Sequence, residues 1–422
     1  MRRSLLFLFF TIVVSWSYGQ TLSLDSCQAM ARRNHPLLRQ AGIIDQISEL
    51  RQQNIQTLNL PQFDLTGRAS WQSDVTKLAI KLPASITMPK TPSQDQYKAY
   101  VDIRQKIYDG GVSKKSKELE EADRLVSKQQ NETELYKIRE TVNTLYFNAL
   151  VIRENQKIVD LKKNTLDEQI KTVGSAVTNG VALPNELDQL RAERLLTDQQ
   201  DEELNSTFHT TCALLEIVTG TSIPVQTIFS VPKSLTIENN TDFGRPEIIL
   251  FNLQKAKIDK NEELLKDSHK PFLYAFGQAG YGRPGLNMLE NNFTDWYMFG
   301  AGLSWNLWDW HKNRRDRSTL LLQKDIINTN LENFNRSLKM SLDQEANNAQ
   351  KYKKLIGTDE QLVIIKDQIT NRSASSLKNG VITSADYIRD LNAALQARAN
   401  LETHKVQLVQ ASVNYQTISG NK

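Results

Sequence analysis

The chain has 422 residues, of which 39% are hydrophobic and 24% charged, and a formal net charge of +4. That length exceeds one ordinary core and suits two domain-sized units. So small a net charge gives no electrostatic reason to expect nucleic acid. Beyond the N-terminal segment no run of 18 apolar residues occurs, which excludes a helical membrane span there.

Arg2 and Arg3 lead into an almost unbroken apolar run, Leu5–Trp16, and Ser17-Tyr18-Gly19 offers a small-x-small cleavage site before Gln20. Residues 1–19 read as a secretory signal peptide. The remainder is then bound for an oxidising compartment. Its two cysteines, Cys27 and Cys212, are by default free buried thiols, and a disulfide between them stays open. Asp25, close before Cys27, argues against a lipid on that cysteine.

A helix is expected over 24–58. From Gln62 to Trp71 the chain alternates, with Phe63, Leu65, Gly67, Ala69 and Trp71 on one side and polar residues on the other. A period of two means a strand with one apolar and one wet face, placed at about 62–73. A second follows at about 97–108, with Tyr97, Ala99, Val101 and Ile103 opposite Lys98, Asp102 and Arg104. The period then changes. Ile138, Val142, Leu145, Ala149, Ile152, Val159, Leu166, Ile170, Val173 and Val177 alternate steps of three and four, a heptad seam with polar slots at Gln156 and Lys163. A helix over 112–178 runs roughly 100 Å at 1.5 Å per residue, more than a compact domain needs. It turns at Asn179-Gly180-Val181 and a return helix follows, with Glu186 in its first turns. A glycine there supplies the positive φ that ends a helix, and the helix dipole favours a carboxylate at the start of the next one.

The same order recurs. Asn379-Gly380-Val381 repeats the turn phrase, and Asp386 stands where Glu186 did. Ile107-Tyr108-Asp109 matches Leu307-Trp308-Asp309, and Thr219-Gly220 matches Ser419-Gly420. Upstream, Pro36 pairs with Pro246 and Pro61 with Pro271. The extra length of the first copy falls between about 74 and 96, which marks a loop. We therefore expect one repeat over 20–220, a linker over 221–244, and a second repeat over 245–422. The second has a helix over 245–268 and strands at about 272–281, with Leu273 and Tyr281, and 296–308, with Leu303 and Trp305. Four strands cannot close a membrane barrel, whose smallest bacterial form has about eight. If these strands cross a membrane, several chains share one barrel, and three chains supply twelve strands.

Nothing in the chain converges on catalysis. The five histidines, at 35, 209, 269, 311 and 404, lack metal-ligand spacing such as His-Glu-x-x-His, and His209 with Cys212 reads as packing. No phosphate loop or nucleophile elbow occurs. No enzyme, cofactor or metal is expected. The basic stretches Lys114–Lys117 and Lys312–Arg317 directly follow strands and read as solvated or near-membrane faces.

In its doubled order of helix, two strands, long helix and return helix, with Tyr108-Asp109-Gly110-Gly111 and the Gly380–Asp386 turn, the chain resembles the TolC-like outer-membrane factors of tripartite efflux pumps and type I secretion systems. The resemblance covers nearly all of it after residue 19. It implies a mainly α fold: duplicated long antiparallel coiled-coil helices forming a periplasmic α-barrel, and four strands per chain in a twelve-stranded barrel of a homotrimer. It implies an export duct in the outer membrane of a Gram-negative bacterium, spanning into the periplasm and touching outer-membrane lipid. Its partners are a periplasmic adaptor and an inner-membrane pump. The loops 74–96 and 282–295 become extracellular, and Phe63, Leu65, Trp71, Val101, Ile103, Leu273, Tyr281, Leu303 and Trp305 become membrane-facing. The tips, 174–186 and 374–386, dock the adaptor through Gly180, Val181, Glu186, Arg372, Gly380 and Val381. Asp386 matches an acid at the constricted entrance; a second family acid falls on Arg389, with Asp390 beside it, and a family arginine falls on Ile382. The pore gate is thus assigned to Asp386, Arg389 and Asp390. The layout sets both cysteines near the middle of the tunnel. The rival reading is a periplasmic coiled-coil scaffold without a pore.

Overall fold

The structure is a computed structural model describing residues 21–77, 91–233 and 243–420. The expected signal peptide lies outside the described residues, as do parts of the 74–96 loop and the 221–244 linker. In chain order the elements are β1 (Thr21–Leu22), α1 (Leu24–Asn34), α2 (Leu37–Thr57), β2 (Gln62–Trp71), β3 (Asp95–Tyr108), α3 (Val112–Thr178) and α4 (Pro184–Thr219). There follow β4 (Ile228–Phe229), α5 (Pro246–Asp267), β5 (Phe272–Arg283), β6 (Thr294–Ser304), α6 (Lys312–Lys378) and α7 (Ser384–Ser419). The duplicated order, with α3 at its expected limits, is therefore present.

Two expectations need correction. The helix over 24–58 is broken into α1 and α2 at Pro36. His35 is extended (φ −69, ψ 133), because the ring of a proline disfavours helical dihedrals in the residue before it. The strand limits also shift: β2 stops at Trp71, β6 stops at Ser304 so that Trp305 lies just beyond it, and β5 runs on to Arg283. At the ends of β2 and β6 the alternation continues past the last strand residue, so period alone overshoots there.

The described residues fall into two compact units: the chain up to Leu38 with Glu132–Pro246 and everything from Phe334, and Arg39–Asn131 with Glu247–Asn333. In the first unit the seam residues are where the heptads put them. Val142 and Leu166 are fully buried on α3, as is Leu190 on α4, and Tyr387, Leu391, Ala394 and Ala397 are buried on α7. Each large apolar side chain so buried contributes about 1.5–3 kcal/mol. The polar seam slots are satisfied: Gln156 donates to Asn205 (2.7 Å), and Lys163 meets Asp201 (2.5 Å). On α7, His404 pairs with Asp359 (2.6 Å). A small parallel sheet, β1 with β4, was not foreseen, since two-residue strands carry no period. Tyr146 holds it, its buried hydroxyl 2.7 Å from Leu22 O and 2.6 Å from Ser230 O. Cys27 and Cys212 are free thiols in the same apolar cluster as Tyr146. Burial pushes the Cys27 thiol up to about 12.

The second unit holds one antiparallel sheet, order β2-β3-β5-β6. Its register gathers the apolar residues on one face: Leu65 beside Val101, Val101 beside Ala279, Ala279 beside Tyr297. The next row is Phe63, Ile103, Gly277 and Phe299. This face is bare: Leu65 is 81% exposed, Phe299 82% and Leu303 70%. The opposite face carries Asp64, Asp102, Arg104 and Gln278, of which Asp64 and Arg104 are exposed and Gln278 is half-buried. Asp102 is buried, paired with Arg104 (2.7 Å) and accepting from Gln278 (3.1 Å). In the second hairpin this face is less polar than in the first: Tyr274 and Phe276 lie over Gly302 and Gly300, where a Cβ would meet their rings.

Candidate functional site: the return turns

Both return turns lie in the first unit and share one backbone solution. Gly180 has φ 73 and Gly380 φ 68. Gly180 N donates to Val177 O and Val181 N to Ala176 O (2.8 Å); Gly380 N donates to Leu377 O and Val381 N to Ser376 O (2.9 Å). These bonds satisfy the last carbonyls of α3 and α6 through a left-handed residue. A Cβ at either glycine would meet nothing within 4 Å, so backbone conformation, not space, selects glycine.

The two return helices start differently. α4 opens with Pro184 at its first position and has no side-chain cap. α7 has a capping box: Thr383 Oγ1 accepts from Asp386 N (3.2 Å), and Asp386 accepts from Thr383 N (3.4 Å) and Thr383 Oγ1 (2.8 Å). These Thr383 bonds hold the Asp386 carboxyl below its usual range. Arg389 reaches Asp386 at 3.1 Å and Asp390 at 3.8 Å, and Asp390 also accepts from Ser373 Oγ (2.5 Å). The three residues assigned to the gate thus form one connected cluster, with Arg389 71% exposed at its side chain.

Glu186 couples the copies. Its Oε2 accepts from Ser384 N at 2.5 Å, filling an orphan donor at the start of α7 from the neighbouring hairpin. Sequence reading placed Glu186 at its own helix dipole and missed this partner. The available signal was the absence of any Ser, Thr, Asp or Asn cap before Pro184, which left that carboxylate without local work. Two turns further on, Glu193 repeats the link. Burial opposes its charge, but bonds from Lys162 (2.6 Å) and Asn392 (2.9 Å) hold its carboxyl below the usual range.

Between the turns lies a groove of about 360 Å³ lined by Val173, Glu186, Leu377, Gly380, Val381 and Asp386, among others. Beside it Val181 is 81% exposed, Leu183 70% and Val381 74%. Arg372 is exposed on α6. Ile382 packs against the cluster of Leu166, Leu190 and Tyr387. Among the described residues no cluster of metal-ligating side chains occurs, and no helix is long and apolar enough to cross a membrane.

This arrangement has known counterparts. Residues 29–219 match the family model described as outer membrane efflux protein. No curated protein matches the sequence. The fold superposes on a crystal structure of CusC at a TM-score of 0.73 with 13% identity, covering 96% of each chain. VceC of Vibrio cholerae gives 0.68 with 12% identity over 94% of this chain and 96% of that one. The CmeC outer membrane channel of Campylobacter jejuni gives 0.66 with 16% identity over 94% and 85%. The mainly helical, four-stranded efflux-channel fold thus extends over nearly the whole chain, well beyond the segment that the family model matches.

Proposed function

We propose that the chain is one third of a passive outer-membrane export duct, gated at its periplasmic tip and docked there by an adaptor and its inner-membrane pump. The observation that carries this reading is the sheet. Its apolar face is exposed, its opposite face carries charged and polar groups with Asp102 buried among them, and its outer strands β2 and β6 are edges. An apolar outer face and a polar inner one are what a barrel in lipid requires, and unpaired edges are not tolerated in hydrocarbon. Pairing β6 of one copy with β2 of the next closes twelve strands over three copies. The polar face then becomes lumen wall.

In this layout Val181 and Val381 present apolar side chains to the adaptor, with Gly180, Glu186, Arg372 and Gly380 shaping the same surface. Asp386, Arg389 and Asp390 line the entrance. A ring of three Asp386 carboxylates, each partly offset by Arg389, favours cations. No covalent step is involved; solute diffuses through the tunnel when the tips part, and the free energy comes from the pump.

The deciding experiment is native mass in mild detergent after extraction from membranes. A trimer that needs detergent is expected. A water-soluble monomer or dimer would refute the shared barrel and leave a periplasmic scaffold.

A further inference from the structure

Leu307–Arg317, leading from just beyond β6 into the first turns of α6, was given no role in the duct just described, and the duplication supplies an internal control for it. In the first copy the two left-handed residues after β3 are Gly110 (φ 70) and Gly111 (φ 96). Asp109 closes that turn by accepting from Gly111 N (2.9 Å) and Ser113 N (2.7 Å). The second copy builds the same left-handed pair from Trp310 (φ 54) and His311 (φ 60), with Asp309 accepting from Asn313 N (2.8 Å). Glycine adopts such dihedrals freely and side chains with a Cβ do not. The turn itself therefore gives no reason for an indole and an imidazole. Nor does a core: Trp308 is 63% exposed and Trp310 76%. Their rings meet edge-on at 5.8 Å, with His311 5.9 Å from Trp308.

The side chains follow an order. The bare apolar face of β6, with Phe299 and Leu303, continues through Trp305 and Leu307 into the Trp308–Trp310 pair, and cations begin at once after it. Lys312, Arg314 and Arg315 are all exposed. The nearby carboxylates are engaged: Asp309 by the turn, with His269 at 3.9 Å, and Asp316 by Lys312 (2.5 Å). Arg315 donates to Trp310 O (2.8 Å), tying the cationic row to the aromatic turn. Arg317 pairs with Glu262 (2.7 Å), while Arg314 has no ion pair among the described residues. Since Asp309 already fills the start of α6, the helix dipole is not the attracting feature. In the first copy Val112 and Ser113 follow the glycines, Lys115 is held by Glu118 and Glu263, and Lys114, the counterpart of Arg314, is exposed but follows two glycines instead of the Trp–His turn.

Aliphatic, then indole, then guanidinium is the depth order of a leaflet: acyl chains, interfacial zone, phosphate. We propose that Trp308, Trp310 and Arg314 form a binding site for the headgroup of an anionic glycerophospholipid in the periplasm-facing leaflet, present in the second copy and not in the first. This rests on the outer-membrane reading above.

The test uses the full-length chain, purified in mild detergent, delipidated, and titrated with phosphatidylglycerol or phosphatidylcholine, with bound lipid counted by native mass spectrometry. The wild type should retain at least threefold more phosphatidylglycerol than phosphatidylcholine. Trp310→Gly with His311→Gly, which restores the first copy's turn, and Arg314→Gln separately, should each remove most of that preference. The glycine variant should melt in lipid-free detergent no lower than the wild type. Equal retention of both lipids by the wild type, or undiminished preference in the variants, overturns the site while leaving the detergent-dependent trimer intact. A lower melting temperature with loss of oligomer mass in the glycine variant also overturns it, assigning the rings to contact with a second copy. A chain that needs no detergent overturns the membrane reading and this site together.

Discussion

Glu186→Ala removes the bond by which one hairpin caps the other. Ser384 N is among the first donors of α7, which have no intrahelical acceptor, and the Glu186 carboxylate is its partner. Ser384 is fully buried, so water does not readily replace that acceptor. A hydrogen bond to a charged group in such a setting contributes about 1.5–3 kcal/mol. At 1.4 kcal/mol per factor of ten, amide exchange at the start of α7 should rise roughly tenfold to a hundredfold in Glu186→Ala. Glu186→Gln keeps an oxygen acceptor but loses its charge. Since charge-assisted bonds are roughly twice as strong as neutral ones, it should give about half the effect in free energy. The assay is hydrogen exchange by mass spectrometry on the detergent-solubilised protein, following peptides over 383–391 against peptides at the far end of α7. Local, graded deprotection, largest in Ala and smaller in Gln, is expected, together with higher single-channel conductance if this bond keeps the tips together. Unchanged exchange over 383–391 in Glu186→Ala would refute the reasoning, because the amide must then have another acceptor.

Asp386→Ala and Asp386→Asn both delete one carboxylate per copy and should lower cation preference in planar bilayers alike, but only Ala also frays the first turn of α7; equal fraying would show that the capping box is idle. Because the Thr383 bonds depress the folded pKa of Asp386, its stabilisation is fully present above the ordinary carboxylate value of about 3.9 and is lost only as pH falls through the lower folded one. Selectivity measured from pH 7 to 4.5 should therefore be flat, and a fall near pH 5 would contradict the assignment. Leu65→Arg places a charge on the bare face of β2 and should cost about 2–4 kcal/mol if that position lies at mid-membrane; wild-type yield of inserted protein would remove Leu65 from the lipid face. Tyr146→Phe leaves two carbonyls without their buried hydroxyl and should cost about 1–3 kcal/mol. It should also let protease reach the segment around Thr21, and continued resistance there would show that β1 is held by other means.

How much of this was legible depended on whether a residue's role was set by its neighbours in sequence or by the other copy. Period two and period seven are local signals, so the strands, the seam of α3 and the turns at Gly180 and Gly380 could be read directly. Pro36 was legible too, through the restriction it imposes on His35, but the helical pattern on either side concealed the break. The T-x-x-D of Thr383–Asp386 was a cap signal in plain view, overshadowed by the pore role that the resemblance suggested for that acid. What could not be read is what the duplication adds. The two hairpins look like repeats, yet Glu186 and Asp386, at equivalent positions, do opposite things: one caps its own helix and the other caps its sister's. The same divergence separates Gly110-Gly111 from Trp310-His311, where one backbone serves two surfaces. A duplicated unit lets one copy keep the local solution while the other is released to bind across. Departures from the repeat are therefore better guides to function in this chain than the repeat itself, and Glu186 and Trp310 are the positions where mutation should separate the copies most clearly.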